Sequence, residues 1–146
     1  MTSTLYNLVA FTATWDTGLD GIYNPVDADE TITFDETETN IGNGMDSSTG
    51  IFTAPVSGGY LFTFSGYILP NSGEPTISLR VCKNNESKII DLHYDLPDKD
   101  TAYSTADFDT NYTWTMYLDQ NDEIYLKSHD RVEGPCRFFG QLVMIK

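Results

Sequence analysis

The sequence predicts an all-β sandwich, on three observations. Short runs alternate apolar and polar residues with period two. Clusters of Gly, Asn, Pro and Ser punctuate those runs at close spacing. No long stretch keeps apolar residues at the 3.6-residue period of a helix. The alternating runs are rich in β-branched and aromatic residues, which suit a pleated, half-buried surface.

Val9–Ala13 reads as the first strand and Thr31–Phe34 as another. Tyr60–Ser65 places Tyr60, Phe62 and Phe64 on one face. Ile77–Val81 and Tyr112–Leu118 alternate cleanly, and Glu123–Lys127 follows a turn at Asp119–Asp122. Phe138–Ile145 is nearly all apolar, which suits a strand buried on both sides or one at a subunit interface. Turn signals fall at Gly42-Asn43-Gly44, Ser57-Gly58-Gly59, Pro70-Asn71-Ser72-Gly73 and Lys83-Asn84-Asn85. Residues 95–110, polar and with five Asp, read as one long loop. No repeat, linker or second domain is visible, so residues 1–146 are expected to form one globular domain.

Composition narrows the function. The formal net charge is −14, and residues 1–79 carry ten carboxylates and no Lys or Arg. Nucleic-acid binding needs basic patches to neutralise phosphate, so it is disfavoured, as is docking on anionic lipid. Basic surfaces or cations are the favoured partners, although acidity also serves plain solubility. No apolar run approaches a membrane span, so no insertion is expected. The start, Met1-Thr2-Ser3-Thr4, lacks the basic and apolar regions of a signal peptide. Aromatics at 13% argue against an acidic disordered chain. Only two His occur, His93 and His129, in neither nucleophile-elbow nor zinc-ligand spacing. No nucleophile–base pair can be nominated, so no enzyme is expected.

One stretch carries more than composition. Asn40, Met45-Asp46, Thr49-Gly50, Phe52, Pro55 and the run Gly58-Gly59-Tyr60-Leu61-Phe62 follow one another at the spacing of the C1q domain signature. Further landmarks stand in order: Phe11 in an opening strand, Lys83-Asn84 ending another, Leu118 and Asp122 in a hairpin, and Phe138, Gly140 and Leu142 in a closing strand. The chain therefore resembles the globular head of the C1q/tumour-necrosis-factor superfamily. Met45 stands where the family has an aromatic, Asn121 where it has Gly, and Ser57 where many members have Pro. No collagen-like Gly-X-Y segment is present.

The resemblance implies a ten-strand jelly roll that assembles as a homotrimer. It implies a secreted, non-catalytic recognition module for a protein or glycan, of innate-immune or extracellular signalling type. A structural cap or fibre tip on the same fold is the alternative. It also raises calcium, which several relatives bind near the loop before the Tyr112–Leu118 strand. Asp91, Asp95, Asp107 and Asp109 are the candidate ligands, since calcium takes six to eight hard oxygens. A solvated acidic loop is the competing reading, because no dedicated calcium-loop pattern is present. The motif itself is mostly structural: Gly50 and Gly58 serve turns, and Phe11, Phe52, Tyr60, Phe62 and Phe64 belong in the core. Cys82 and Cys136 are either one bridge or two thiols, and alternation sets Cys82 opposite Leu79 and Val81. Asn85 and Asn111 head Asn-X-Ser/Thr glycosylation triplets.

Overall fold

A computed structural model describes residues 8–15, 29–69, 76–95, 108–128 and 131–145. They contain ten strands and no helix: β1 (Ala10–Trp15), β2 (Glu36–Ile41), β3 (Met45–Asp46), β4 (Ile51–Thr53), β5 (Gly58–Leu69), β6 (Thr76–Lys83), β7 (Glu86–Asp95), β8 (Phe108–Leu118), β9 (Glu123–Ser128) and β10 (Arg131–Ile145). They build two five-stranded antiparallel sheets. Sheet A runs β2-β1-β10-β5-β8 and sheet B runs β3-β4-β9-β6-β7. This is the expected jelly roll. The first and last strands lie side by side inside sheet A, with Phe11 opposite Gly140.

The period-two runs become strands because their apolar faces meet between the sheets. Phe11, Phe52, Tyr60, Phe62, Phe64 and Phe138 are all at most 1% exposed, so the motif aromatics are core. Their rings interlock. Phe11 stacks on Phe52 at 4.8 Å and meets Phe138 edge-on at 4.9 Å. Phe62 stacks on Trp114 at 5.6 Å. Such geometry adds to simple burial, by roughly 0.5–1.5 kcal/mol per pair. Gly140 is required by this packing: a Cβ there would lie 2.7 Å from Cζ of Phe11 and closer still to Cε1. Gly50, at φ +74°, turns the chain where any Cβ would strike the Ile32 carbonyl.

One strand reading and one loop reading need correction. Thr31–Phe34 is not a strand. Only Thr31 makes an isolated bridge, to Lys127. Ile32 and Phe34 are buried and alternate, yet the Ile32 amide bonds to Leu126 and the Phe34 amide to Ser47, so the segment has no single ladder partner. The neighbouring strand is β2, Glu36–Ile41, whose edge position tolerates a polar sequence. The 95–110 loop is also shorter than expected, because β8 already begins at Phe108 and Asp109 pairs with Tyr67. Strand β7 gave no clear signal in the sequence. The Pro70–Gly73 turn signal and His129 lie outside the described residues.

Candidate interaction surfaces

The polar residues of the motif turn out to knit turns together. Asn40 donates from Nδ2 to the Met45 carbonyl at 2.8 Å and accepts the Met45 amide at 3.1 Å. Its side chain thus closes the turn through Gly42-Asn43-Gly44. Tyr60 donates its hydroxyl to the Val56 carbonyl at 2.7 Å, fixing the approach to β5. Lys83-Asn84 and Asp122, far apart in sequence, form one clip. Asp122 accepts the Asp119 amide at 2.8 Å and Asn84 Nδ2 at 3.0 Å, and Lys83 Nζ lies 3.2 Å away. Asn84 accepts the Glu123 amide at 2.8 Å, and the Tyr125 hydroxyl donates to the Asn84 carbonyl at 3.0 Å. Asn84 and Asn121 adopt positive φ, which explains why Asn121 can replace the family glycine.

Burial opposes the Asp122 charge, but donors from Asn84, the Asp119 amide and Lys83 outweigh it and hold its carboxyl below the usual carboxylate value. A lowered folded-state pKa stabilises the fold above the unfolded carboxylate value, near 4. That contribution disappears as pH falls through the lower folded value. Asp122→Ala is expected to cost about 1–2 kcal/mol at pH 7, after solvent screening of a partly exposed charge. The penalty should shrink below about pH 4, as measured by urea melts at both pH values.

With most motif residues engaged in structure, the outer face of sheet A carries the large exposed hydrophobics among the described residues. Its inward positions on β8, Trp114 and Leu118, are buried, while Thr113, Thr115 and Tyr117 face outward. Across the sheet, Thr113 pairs with Thr63, Thr63 with Phe139, and Phe139 with Thr12. The next row runs Thr115, Leu61, Gln141, Ala10 and Ile41. Towards the chain termini the face becomes apolar. Leu8 (50% exposed), Ile41 (45%), Tyr117 (42%), Val143 (56%), Met144 (59%) and Ile145 (50%) are the large exposed hydrophobics among the described residues. Strand β10 is therefore not buried on both sides within one chain. Its Phe138 and Leu142 point into the core and its last residues stand in solvent. Leu8, Ile41 and Tyr117 carry no motif and were not legible as surface residues. The outward Thr-Thr-Tyr set of β8 is the one signal that could have pointed to this face.

The remaining candidates separate. Asp91 and Asp95 belong to β7 in sheet B and pair with Arg80 and Thr76, whereas Asp109 belongs to β8 in sheet A. Asp107 lies outside the described residues. Among the described residues no group of three His, Cys, Asp or Glu side chains could hold a metal. Cys82 on β6 of sheet B and Cys136 on β10 of sheet A are buried thiols, the second of the two readings the sequence left open. Burial, with a smaller contribution from Asp35, pushes the Cys136 thiol up to about 12, which leaves it unreactive. Asn85 is exposed at the tip of the β6–β7 hairpin. Asn111 is exposed on the outer face of sheet A, opposite Ser65.

Known proteins share this arrangement. The C1q domain model matches residues 10–138. The chain belongs to the C1q domain family. C1q domains are typically non-catalytic binding modules, and family domains typically form trimers. The chain is 30% identical to zebrafish Caprin-2 over 108 residues, covering 73% of this chain and 11% of that protein. It is 32% identical to human complement C1q tumor necrosis factor-related protein 3, over 66% of this chain and 35% of that one. It is 28% identical to one chain of the human complement C1q subcomponent, over 82% and 46%. The chain thus spans less than half the length of these relatives. Among solved structures, the globular domain of zebrafish complement 1qA superposes with a TM-score of 0.70 at 17% identity, covering 94% of this chain and 99% of that one. The Eiger TNF of S. frugiperda gives 0.72 at 13% identity, covering 96% and 95%. At that identity these two likenesses speak to fold alone.

Proposed function

We propose that this chain is a non-catalytic recognition head that works outside the cell as a homotrimer and binds a protein or glycan ligand. The observation that carries the reading is the apolar end of sheet A's outer face. A chain of net charge −14 leaves Ile41, Tyr117, Val143 and Met144 exposed together on one face. Met144 and Tyr117 lie in one cross-strand row through Gly59, and exposed apolar side chains gathered on a sheet face support an association site. The threefold state and the extracellular location are carried over from the C1q family and its complement relatives. Ligand contacts then belong to loops away from the buried face, and the chain's acidity favours a ligand with basic groups.

Labelled protein applied to glycan and protein arrays, with calcium and with chelator, tests the reading. Saturable binding without turnover of the bound molecule supports it. Conversion of a substrate, or no saturable binding under either condition, contradicts it.

Calcium belongs to the same proposal. Asp95 and Asp109 flank the connection that carries Asp107, and a cation there would offset repulsion among acidic loops gathered in a trimer. Millimolar calcium is expected to raise the melting temperature by several degrees over chelator at matched ionic strength, by linkage. Asp107→Asn combined with Asp109→Asn should abolish the rise. Identical melting curves would leave these residues as acidic surface.

A further inference from the structure

A second concave surface lies away from the outer face of sheet A. The β2–β3 turn, the edge strand β3, its neighbour β4, and the β8–β9 turn enclose an open groove of about 460 Å³. Ile51 and Pro55 give it apolar walls, Asn43 and Asn121 line it with amides, and Asp46 and Glu123 bring two carboxylates. Among the described residues, no Lys, Arg, His or aromatic side chain lines it.

The groove is held open by the fold. Asn40 clamps the β2–β3 turn to Met45 through both ends of its amide. The Thr53 amide bonds to the Gly44 carbonyl at 2.8 Å, and the Asn121 amide to the Ala54 carbonyl at 2.8 Å. Gly44 packs so closely that a Cβ would lie 2.7 Å from the Thr53 carbonyl oxygen. A site fixed this way loses little entropy on binding. The Ser48 hydroxyl donates to Asp46 Oδ1 at 2.6 Å and the Ser48 amide at 3.0 Å, both bonds on one oxygen. Ser48's hydroxyl is the main cause that holds the Asp46 carboxyl below its ordinary value, so it stays charged at neutral pH.

The chemistry selects the occupant. Two carboxylates with no cation reject anions. A bare divalent cation asks for more oxygen ligands than two side chains supply, and no such cluster exists among the described residues. A sugar would find no aromatic face to stack on. A cationic head on an aliphatic stem satisfies both kinds of wall, with the stem along Ile51 and Pro55 and the head at the carboxylates. We propose that this groove binds a lysine or arginine side chain presented by a partner protein. The proposal rests on the recognition reading above and names its contact. Asp46 and Glu123 lie off the outer face of sheet A, so their replacement leaves the proposed trimer surface untouched.

An acetylated, amidated Gly-Lys-Gly-Arg-Gly peptide and its Gly-Glu-Gly-Glu-Gly counterpart provide the probes, titrated into the ¹⁵N-labelled chain. The basic peptide should shift amides of residues 42–55 and 121–123, and the acidic peptide should not. Asp46→Asn with Glu123→Gln, both near-isosteric, should weaken binding at least tenfold while leaving the melting temperature unchanged. Asp46→Asn alone keeps an acceptor for Ser48 and guards against a folding defect. Shifts elsewhere, equal response to both peptides, or unchanged affinity in the double variant would overturn the groove. Array binding that survives the double variant would remove this contact and leave the recognition reading standing.

Discussion

Replacing Phe11 with Ala is expected to cost about 3–5 kcal/mol of unfolding free energy, the usual range for deleting a buried aromatic. Phe11 is 1% exposed, stacks on Phe52 from sheet B and meets Phe138 from sheet A, so its loss opens a cavity between the layers. Gly140→Ala attacks the same place from the other side, by driving a methyl group into the Phe11 ring. Overpacking of this kind costs about 1–3 kcal/mol. The two sites are in contact, so their energies should not add. Phe11→Leu, which shortens the ring that Gly140→Ala strikes, should recover part of the Gly140→Ala loss. Guanidinium unfolding followed by Trp fluorescence, at fixed protein concentration, reads the wild-type chain, each single variant and their double variants. Strictly additive losses would contradict the packing described for Phe11 and Gly140.

The second large effect is on assembly. Tyr117→Glu with Val143→Glu places two carboxylates on the apolar end of sheet A's outer face, in a chain already at −14. Buried unpaired charges at an interface core cost about 2 kcal/mol or more each, which is roughly 30-fold in association per site. The double variant should therefore sediment as a monomer at micromolar concentration. In the monomer both side chains are exposed, and surface substitutions usually stay within about 0.5 kcal/mol. Circular dichroism of the folded variant should match the wild-type chain. A variant that unfolds outright would point to a role within the single chain; Val143→Thr, closer in shape, then tests the interface alone.

Much of the fold was legible because its strands bury one face each. Tyr60, Phe62 and Phe64 alternate with smaller residues and sit in the core as that pattern requires. The turns were legible for a different reason: Gly42, Asn43, Asn84 and Asn121 are residue types that accept positive φ, and all four adopt it. Strand β2 was missed because Glu-Thr-Glu-Thr-Asn-Ile occupies a sheet edge, where one side faces solvent and apolar periodicity is not needed. Ile32 and Phe34 misled in the opposite direction, since alternating burial does not guarantee a ladder partner. The interaction surfaces were hardly legible. Leu8, Ile41 and Tyr117 come from three separate strand regions, and only the sheet order β2-β1-β10-β5-β8 sets them on one face. The groove is likewise assembled from turns some 70 residues apart in sequence, and only its Asn40 clamp belongs to the motif; its other ties are backbone bonds that no side chain encodes.

The central claim is that the outer face of sheet A closes against other copies of the chain. Multi-angle light scattering of the purified protein at micromolar concentration tests it directly. The account predicts a mass about three times 16.4 kDa, falling to a single chain mass in the Tyr117→Glu, Val143→Glu variant. A wild-type mass of 16.4 kDa at that concentration, or a trimer that both substitutions leave intact, would contradict it.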